Sequence, residues 1–405
     1  MEENNILNDE NEINNEENIL NNVRKVISNN NNKKKEIIYF HTLNKLKTDK
    51  INPENEQILE RREIKFLSFN INIQKSKISF KQEDKSKERI NESIKYLNDY
   101  DIICFQNFSP GSSLNQYDLI NEAVKLGFFF FVTSEIPNLF NSSFYDSGLI
   151  ILSRFSIDKY AFYPFSSLNY NDFYKQKGIL YANLKVRKNN LHIFNVSFQS
   201  NEYDDNKTNC NKIIKECQKI RKNELEKLIK FIKQIVLENQ LNYNEGDGII
   251  LCGDFQIDSK EYINIENNEN LKGEYDEMIN LFKFYKINEI NDIFSEKRES
   301  TYGFNEDNQI INKNFIGCNM CIDYIFEINQ KENKSNFIID NKKLILFPFN
   351  NHPFTFLSDH KALSCDIKFN FNDNDENESY HSNYSNLTNN ITSYESIPDK
   401  IKNLL

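Results

Sequence analysis

The run Gly248-Ile249-Ile250-Leu251-Cys252-Gly253-Asp254 constrains this chain more than any other stretch. It is short, apolar, β-branched and bounded by turn residues, a pattern that predicts a buried central strand ending in a carboxylate. Gly253 allows another backbone or a ligand to come close at that point. Taken alone, an Asp after a strand more often caps the following turn. The same device recurs twice downstream. Cys321-Ile322-Asp323-Tyr324-Ile325-Phe326 carries Asp323 near the start of a second apolar strand, and Ser358-Asp359-His360 opens a third, Ala362 to Phe369. Three strands that each present Asp or Asp-His at one end are hard to obtain by chance.

The rest of the chain supplies the elements such strands need. Ile64 to Ile71 predicts a strand with Phe66, Ser68 and Asn70 on one face. A helix follows at Glu88–Leu97, with Ile90, Ile94 and Leu97 on one stripe, and then a strand at Asp101–Asn107. A helix over 116–125 leads into the aromatic run Gly127–Val132, whose phenylalanines suit a core. Residues 147–157 predict one buried strand, with further strands at 177–184 and 191–200. A long amphipathic helix over 213–238 returns the chain to Gly248.

With 405 residues the sequence accommodates one domain of about 300 residues, placed at 62–370. Residues 1–60 and 371–405 are polar and Asn-rich, too poor in apolar surface to order themselves, and are expected to be a disordered leader and tail. The net charge of -10 argues against a nucleic-acid partner. Seven cysteines, mostly inside apolar strands, leave no complete disulfide set and suit a reducing compartment. Cys318 and Cys321 have metal-ligand spacing but no second pair, which disfavours zinc. Neither a secretory signal nor an apolar run long enough for a bilayer is present, so the expected location is cytoplasmic, with peripheral membrane contact allowed.

The order Gly253-Asp254-Phe255, Ile322-Asp323-Tyr324-Ile325-Phe326, Ser358-Asp359-His360 resembles the endonuclease/exonuclease/phosphatase superfamily. That resemblance implies a four-layered α/β sandwich of two mixed β-sheets flanked by helices. Asp146-Ser147-Gly148-Leu149, Lys177-Gly178-Ile179-Leu180, Gln199-Ser200 and Ser300-Thr301-Tyr302 are similar to the neutral sphingomyelinase (sphingomyelinase C) branch. The branch implies Mg²⁺-dependent attack of water on the phosphodiester of sphingomyelin or a related phospholipid headgroup. It makes His360 the water-activating base, oriented by Asp323, and places Asp254, Gln256 and Ser197 at the reacting phosphoryl group. On the metal side it places Asn70, Asn107 and Asp359. The segment 344–356, alternating Phe around Asn350-Asn351, matches an aromatic hairpin that touches membrane in that branch, and burial of those rings fits the pattern equally well.

Three positions depart from the branch. Asn107 stands where it carries the main Mg²⁺ carboxylate, and a hard cation loses much of its attraction when an anion becomes an amide. Ser197 stands where it carries a His, and a neutral hydroxyl cannot give the same charge-assisted hydrogen bond. Gln256 replaces Asn with one methylene more. His192 lies an odd number of residues from Ser197 and should face the other side of the sheet, leaving His352 as the one candidate replacement. Two readings follow, a sphingomyelinase-like phosphodiesterase and a catalytically impaired relative kept as a lipid- or protein-binding module. A nuclease or inositol-phosphate phosphatase is a weaker third.

Overall fold

The computed structural model describes residues 63–74, 85–109, 113–134, 147–165, 176–187, 189–201, 210–237, 247–260, 263–264, 269–270, 273–287, 289–296, 298–303, 319–329, 337–351 and 354–369. The leader, the tail, His352 and Cys318 lie outside them.

In chain order the elements are β1 (Glu63–Gln74), α1 (Ser86–Leu97), β2 (Ile102–Ser109), α2 (Ser113–Lys125), β3 (Phe130–Thr133), β4 (Ile150–Ser153), β5 (Ile157–Pro164), β6 (Gly178–Val186) and β7 (Asn189–Ser197). There follow α3 (Cys210–Ile232), β8 (Gly248–Asp254), β9 (Ile263–Asn264), β10 (Glu269–Asn270), α4 (Glu274–Phe284), β11 (Glu289–Asp292), β12 (Asp323–Asn329), β13 (Phe337–Ile345), β14 (Pro348–Asn351), β15 (Phe354–Phe356) and β16 (Ala362–Phe369). One six-stranded sheet runs β13-β16-β1-β2-β4-β3 and the other β11-β12-β8-β7-β6-β5, while β9-β10 and β14-β15 are small hairpins. In each large sheet the two central strands are parallel, β1 with β2 and β7 with β8, and every other neighbour is antiparallel. Each parallel pair needs a crossover, and α1 and α3 supply the two.

This topology places the site. Parallel strands end together, and an antiparallel neighbour begins where they end, so β1 and β2 finish beside the entry to β16 while β7 and β8 finish beside the entry to β12. Residues 70, 107, 197, 254, 323 and 358–360 all occupy those ends.

The chain alternation sorts the two faces of each strand. Leu67, Phe69, Ile71 and Ile73 of β1 pack outward against Ile90 and Leu97 of α1 and Leu119, Ala123 and Val124 of α2. Ser68 and Asn70 point the other way, into the gap between sheets. On the second sheet, Tyr163 and Phe194 meet Phe231 of α3, and Tyr324 meets Tyr275 of α4. Helix, sheet, sheet and helix form the four layers expected. Deep between the sheets, Gln106 Nε2 donates to Ser68 Oγ at 3.1 Å and to Asn195 Oδ1 at 2.8 Å, and Asn195 Nδ2 donates to the Phe105 and Ile150 carbonyls.

Several sequence expectations are corrected. The single strand over 147–157 is two, because the chain leaves the first sheet after Ser153 and enters the second at Ile157. Phe155 N–H donates to Ser153 Oγ, and the buried Arg154 guanidinium holds the Tyr100 and Leu126 carbonyls, which turns the chain. Gly127, with φ 91, closes α2 instead of opening β3, which starts at Phe130. The hairpin near 350 exists as β14–β15, with Phe347 and Phe349 buried in the core, the second of the two arrangements its pattern allowed. No helix among the described residues is long and apolar enough to cross a membrane.

Candidate active site

Asn70 sits where β1 bends, its register with β2 shifting between Asn70 and Ile73. Its amide is fixed by two bonds: Oδ1 accepts the Asn72 N–H at 3.1 Å, and Nδ2 donates to Asp254 Oδ2 at 2.9 Å. The second amide hydrogen faces His360 Nε2 at 3.2 Å. Across the gap, Asn107 Nδ2 donates to the same Asp254 oxygen at 3.1 Å, and Gln256 Nε2 donates to Oδ1 at 2.7 Å. Asp254 therefore ends β8 with its carboxylate satisfied by three side-chain amides. Asn72, Asn107 and Gln256 have φ of 46, 53 and 55. Left-handed residues cluster where strands stop at functional clefts, and Asn is among the residues best suited to that region.

Asp323 begins β12 directly opposite Asp254 in register. Thr301 Oγ1 accepts the N–H groups of Ile322 and Asp323, which sets the approach of that strand. His360 Nδ1 lies 2.9 Å from Asp323 Oδ2, and the Tyr302 ring covers the imidazole with centroids 4.7 Å apart. Ser358 Oγ donates to the Asn70 carbonyl and accepts the His360 N–H, joining this loop to β1. Burial favours the neutral imidazole, but the Asp323 charge and hydrogen bond, helped by Asp359 and Asp254, outweigh it and hold His360 at about 9. Burial pushes Asp323 up, with the imidazole pulling the other way. With Nδ1 held by Asp323, Nε2 is turned toward Asn70 and Asp359.

Asp359 stands apart from this group. Both its oxygens accept from Asn72 Nδ2, at 3.0 and 3.2 Å, and Oδ1 is 4.0 Å from His360 Nε2. Ser197 ends β7 in register with Asp254, so its hydroxyl shares the face that carries that carboxylate. His192 is fully buried on the opposite face, its Nδ1 2.9 Å from the Tyr181 hydroxyl, as the odd spacing required.

The residues expected to hold Mg²⁺ do not fit it as arranged. A hard cation takes oxygen ligands. Asn107 turns a nitrogen toward Asp254, Asn70 spends its oxygen on a backbone N–H, and the oxygens of Asp254 and Asp359 are occupied by amide donors. Among the described residues no group of three or more His, Cys, Asp or Glu is disposed around a common metal position.

Sequence reasoning passed over five contributors. Asn72 had no signal beyond its place in a β-bulge. Arg89, buried in α1, donates to the Ile71 and Leu357 carbonyls at 2.6 Å each and so ties the end of β1 to the Ser358-Asp359-His360 loop. Thr301 and Tyr302 stood in a recognised motif without a role. Lys177, likewise, lies just before β6 and donates Nζ to Ser197 Oγ at 3.1 Å.

No protein-family model matches the chain. A sphingomyelinase of Dictyostelium discoideum is 24% identical over 339 residues, covering 68% of this chain and 73% of the relative. Beta toxin from Staphylococcus aureus superposes with a TM-score of 0.52 at 16% identity, over 75% of this chain and 99% of the toxin. SmcL gives 0.51 at 14% identity, over 76% and 99%. A variant of the same toxin, with a TM-score of 0.51, was solved with bound magnesium ions. These structural likenesses show the fold: two mixed sheets flanked by helices.

Proposed function

We propose that this chain, which has the endonuclease/exonuclease/phosphatase fold and resembles its sphingomyelinase branch, is a phospholipid-headgroup domain of the sphingomyelinase C type that hydrolyses its phosphodiester slowly. The observation that carries the reading is an intact Asp323–His360 pair beside an Asp254 carboxylate that accepts three amide donors and keeps one acceptor site on Oδ1. A phosphodiester is cleaved when water adds to phosphorus, its proton leaves and the ester oxygen departs with a proton. In its neutral fraction, which grows as pH approaches about 9, His360 Nε2 takes the water proton, while Asp323 holds the ring and stabilises the imidazolium formed. Asp254, anchored between Asn70, Asn107 and Gln256, orients the water. Charge on the phosphoryl oxygens is then met by far less than a metal ion supplies, and Ser197 offers only a hydroxyl. If each of the two losses removes about 10²-fold, turnover falls by roughly 10⁴-fold.

The test is choline-phosphate release from sphingomyelin vesicles by the whole chain, compared with His360→Ala. Slow release that disappears in the variant supports the reading. The three amides held on Asp254 also favour a silent binding module, for which vesicle binding would persist with no release from either protein. A nuclease would instead show salt-dependent retention of DNA.

A further inference from the structure

Lys177 is buried, with 4% of its surface exposed. A lysine ammonium has three donors and is almost never buried without an anionic partner. Here it gives one hydrogen bond, to the neutral Ser197 hydroxyl, and among the described residues no carboxylate lies within ion-pair distance. Burying a charge that way is costly unless something compensates it. The position is also specific. Asp323, Asp254, Ser197 and Gly178 lie in one register row across β12, β8, β7 and β6, and Lys177 reaches back along that row to Ser197. The ammonium is therefore next to the reacting mouth, one strand beyond Asp254 on the side away from His360.

We propose that Lys177 and Ser197 form a metal-independent seat for the phosphoryl oxygens of a phosphodiester or phosphomonoester headgroup. The inference rests on the headgroup reading above and adds what neutralises the anion when no cation is held. Two non-bridging oxygens of such a group would complete the ammonium and take the Ser197 hydroxyl, leaving phosphorus between this seat and the water beside Asp254. The three carboxylates Asp254, Asp323 and Asp359 repel an anion, so the seat needs a fixed positive charge, which Lys177 provides.

The experiment is calorimetric titration of the whole chain with phosphocholine, and separately with inorganic phosphate, in EDTA and in Mg²⁺. Wild type should bind phosphocholine in EDTA. Lys177→Met should weaken that binding about 10- to 100-fold, the worth of a hydrogen bond to a charged group, while Lys177→Arg keeps most of it. Ser197→Ala, which removes only the hydroxyl oxygen, should cost several-fold and serves if Lys177→Met does not fold. Equal binding by wild type, Lys177→Met and Ser197→Ala overturns the seat while leaving the headgroup reading standing. Binding that appears only with Mg²⁺ overturns its metal independence. Tight binding of inorganic phosphate with none of phosphocholine overturns the headgroup reading as well, as does no binding in any condition.

Discussion

Asn107→Asp exchanges one nitrogen for oxygen at the end of β2 and so isolates the charge missing from this site. The two side chains have the same shape, and Asp shares with Asn a tolerance of the left-handed backbone found there, φ 53. The exchange removes a hydrogen bond of 3.1 Å to Asp254 and puts two carboxylate oxygens in its place. At an effective dielectric of ~20, two unit charges about 3 Å apart repel by about 5 kcal/mol. The folded chain limits this by retaining a proton. Raising one carboxyl from about 4 to about 7 costs about 4 kcal/mol at pH 7, at 1.36 kcal/mol for each pH unit. The variant's folded-state carboxyl is thus raised above its unfolded value, so the loss is small near pH 4 and grows as pH rises. At 2–4 °C for each kcal/mol, a thermal melt at pH 7 in EDTA should fall by roughly 10 °C. A bridging Mg²⁺ takes the proton's place, and at about 100 times its Kd it returns about 2.7 kcal/mol. Millimolar Mg²⁺ should therefore raise the melting temperature of Asn107→Asp and leave wild type unmoved. An equal rise in wild type, or a variant that melts like wild type in EDTA, would refute the reasoning.

Three other outcomes are expected. His360 titrates at about 9 folded against 6.5 unperturbed, so the stability it contributes is full below 6.5 and disappears as pH rises through about 9. The difference in urea midpoint between wild type and His360→Gln should shrink over that window, and an NMR titration of Asp323→Asn should show the imidazole moving down. Arg89→Met leaves the Ile71 and Leu357 carbonyls buried without their donor, at about 2–6 kcal/mol in a urea denaturation series, with β1 and the His360 loop exchanging amide protons faster. Gly253→Ala meets both a φ of 136 and the Val196 carbonyl, a backbone atom that cannot yield, so the variant should accumulate as aggregate and not as folded protein.

The layers of the sandwich were legible because apolar alternation and helical periodicity follow directly from which face is covered, as in β1 and α3. The points where strands begin and stop were less so. The 147–157 run is uniformly apolar, and nothing in its pattern marks the change of sheet, which depends on what Arg154 can reach in three dimensions. That Asp254, Asp323 and His360 meet was legible by resemblance, because they recur in a fixed order. Its hydrogen-bond arrangement was not, since the same Asn107 could have offered oxygen or nitrogen, and only the position of Asp254 decides which. Ser197 read as a plain loss until Lys177, twenty residues away in sequence, was seen to reach it. Exposure of the aromatic hairpin could not be decided from composition, because alternating phenylalanines describe an anchored strand as well as a protruding one.

Gln106 and Asn195 join the two sheets by a side-chain amide bond directly beneath the mouth. Asn70, Asn107 and His360 belong to one sheet and Ser197, Asp254 and Asp323 to the other, so the aperture between Asn107 and Asp254 is set by how far apart the two slabs are held. Interior volume changes at Cys104 or Cys252, buried free thiols that lie side by side, would then act like shims, widening or narrowing the jaw.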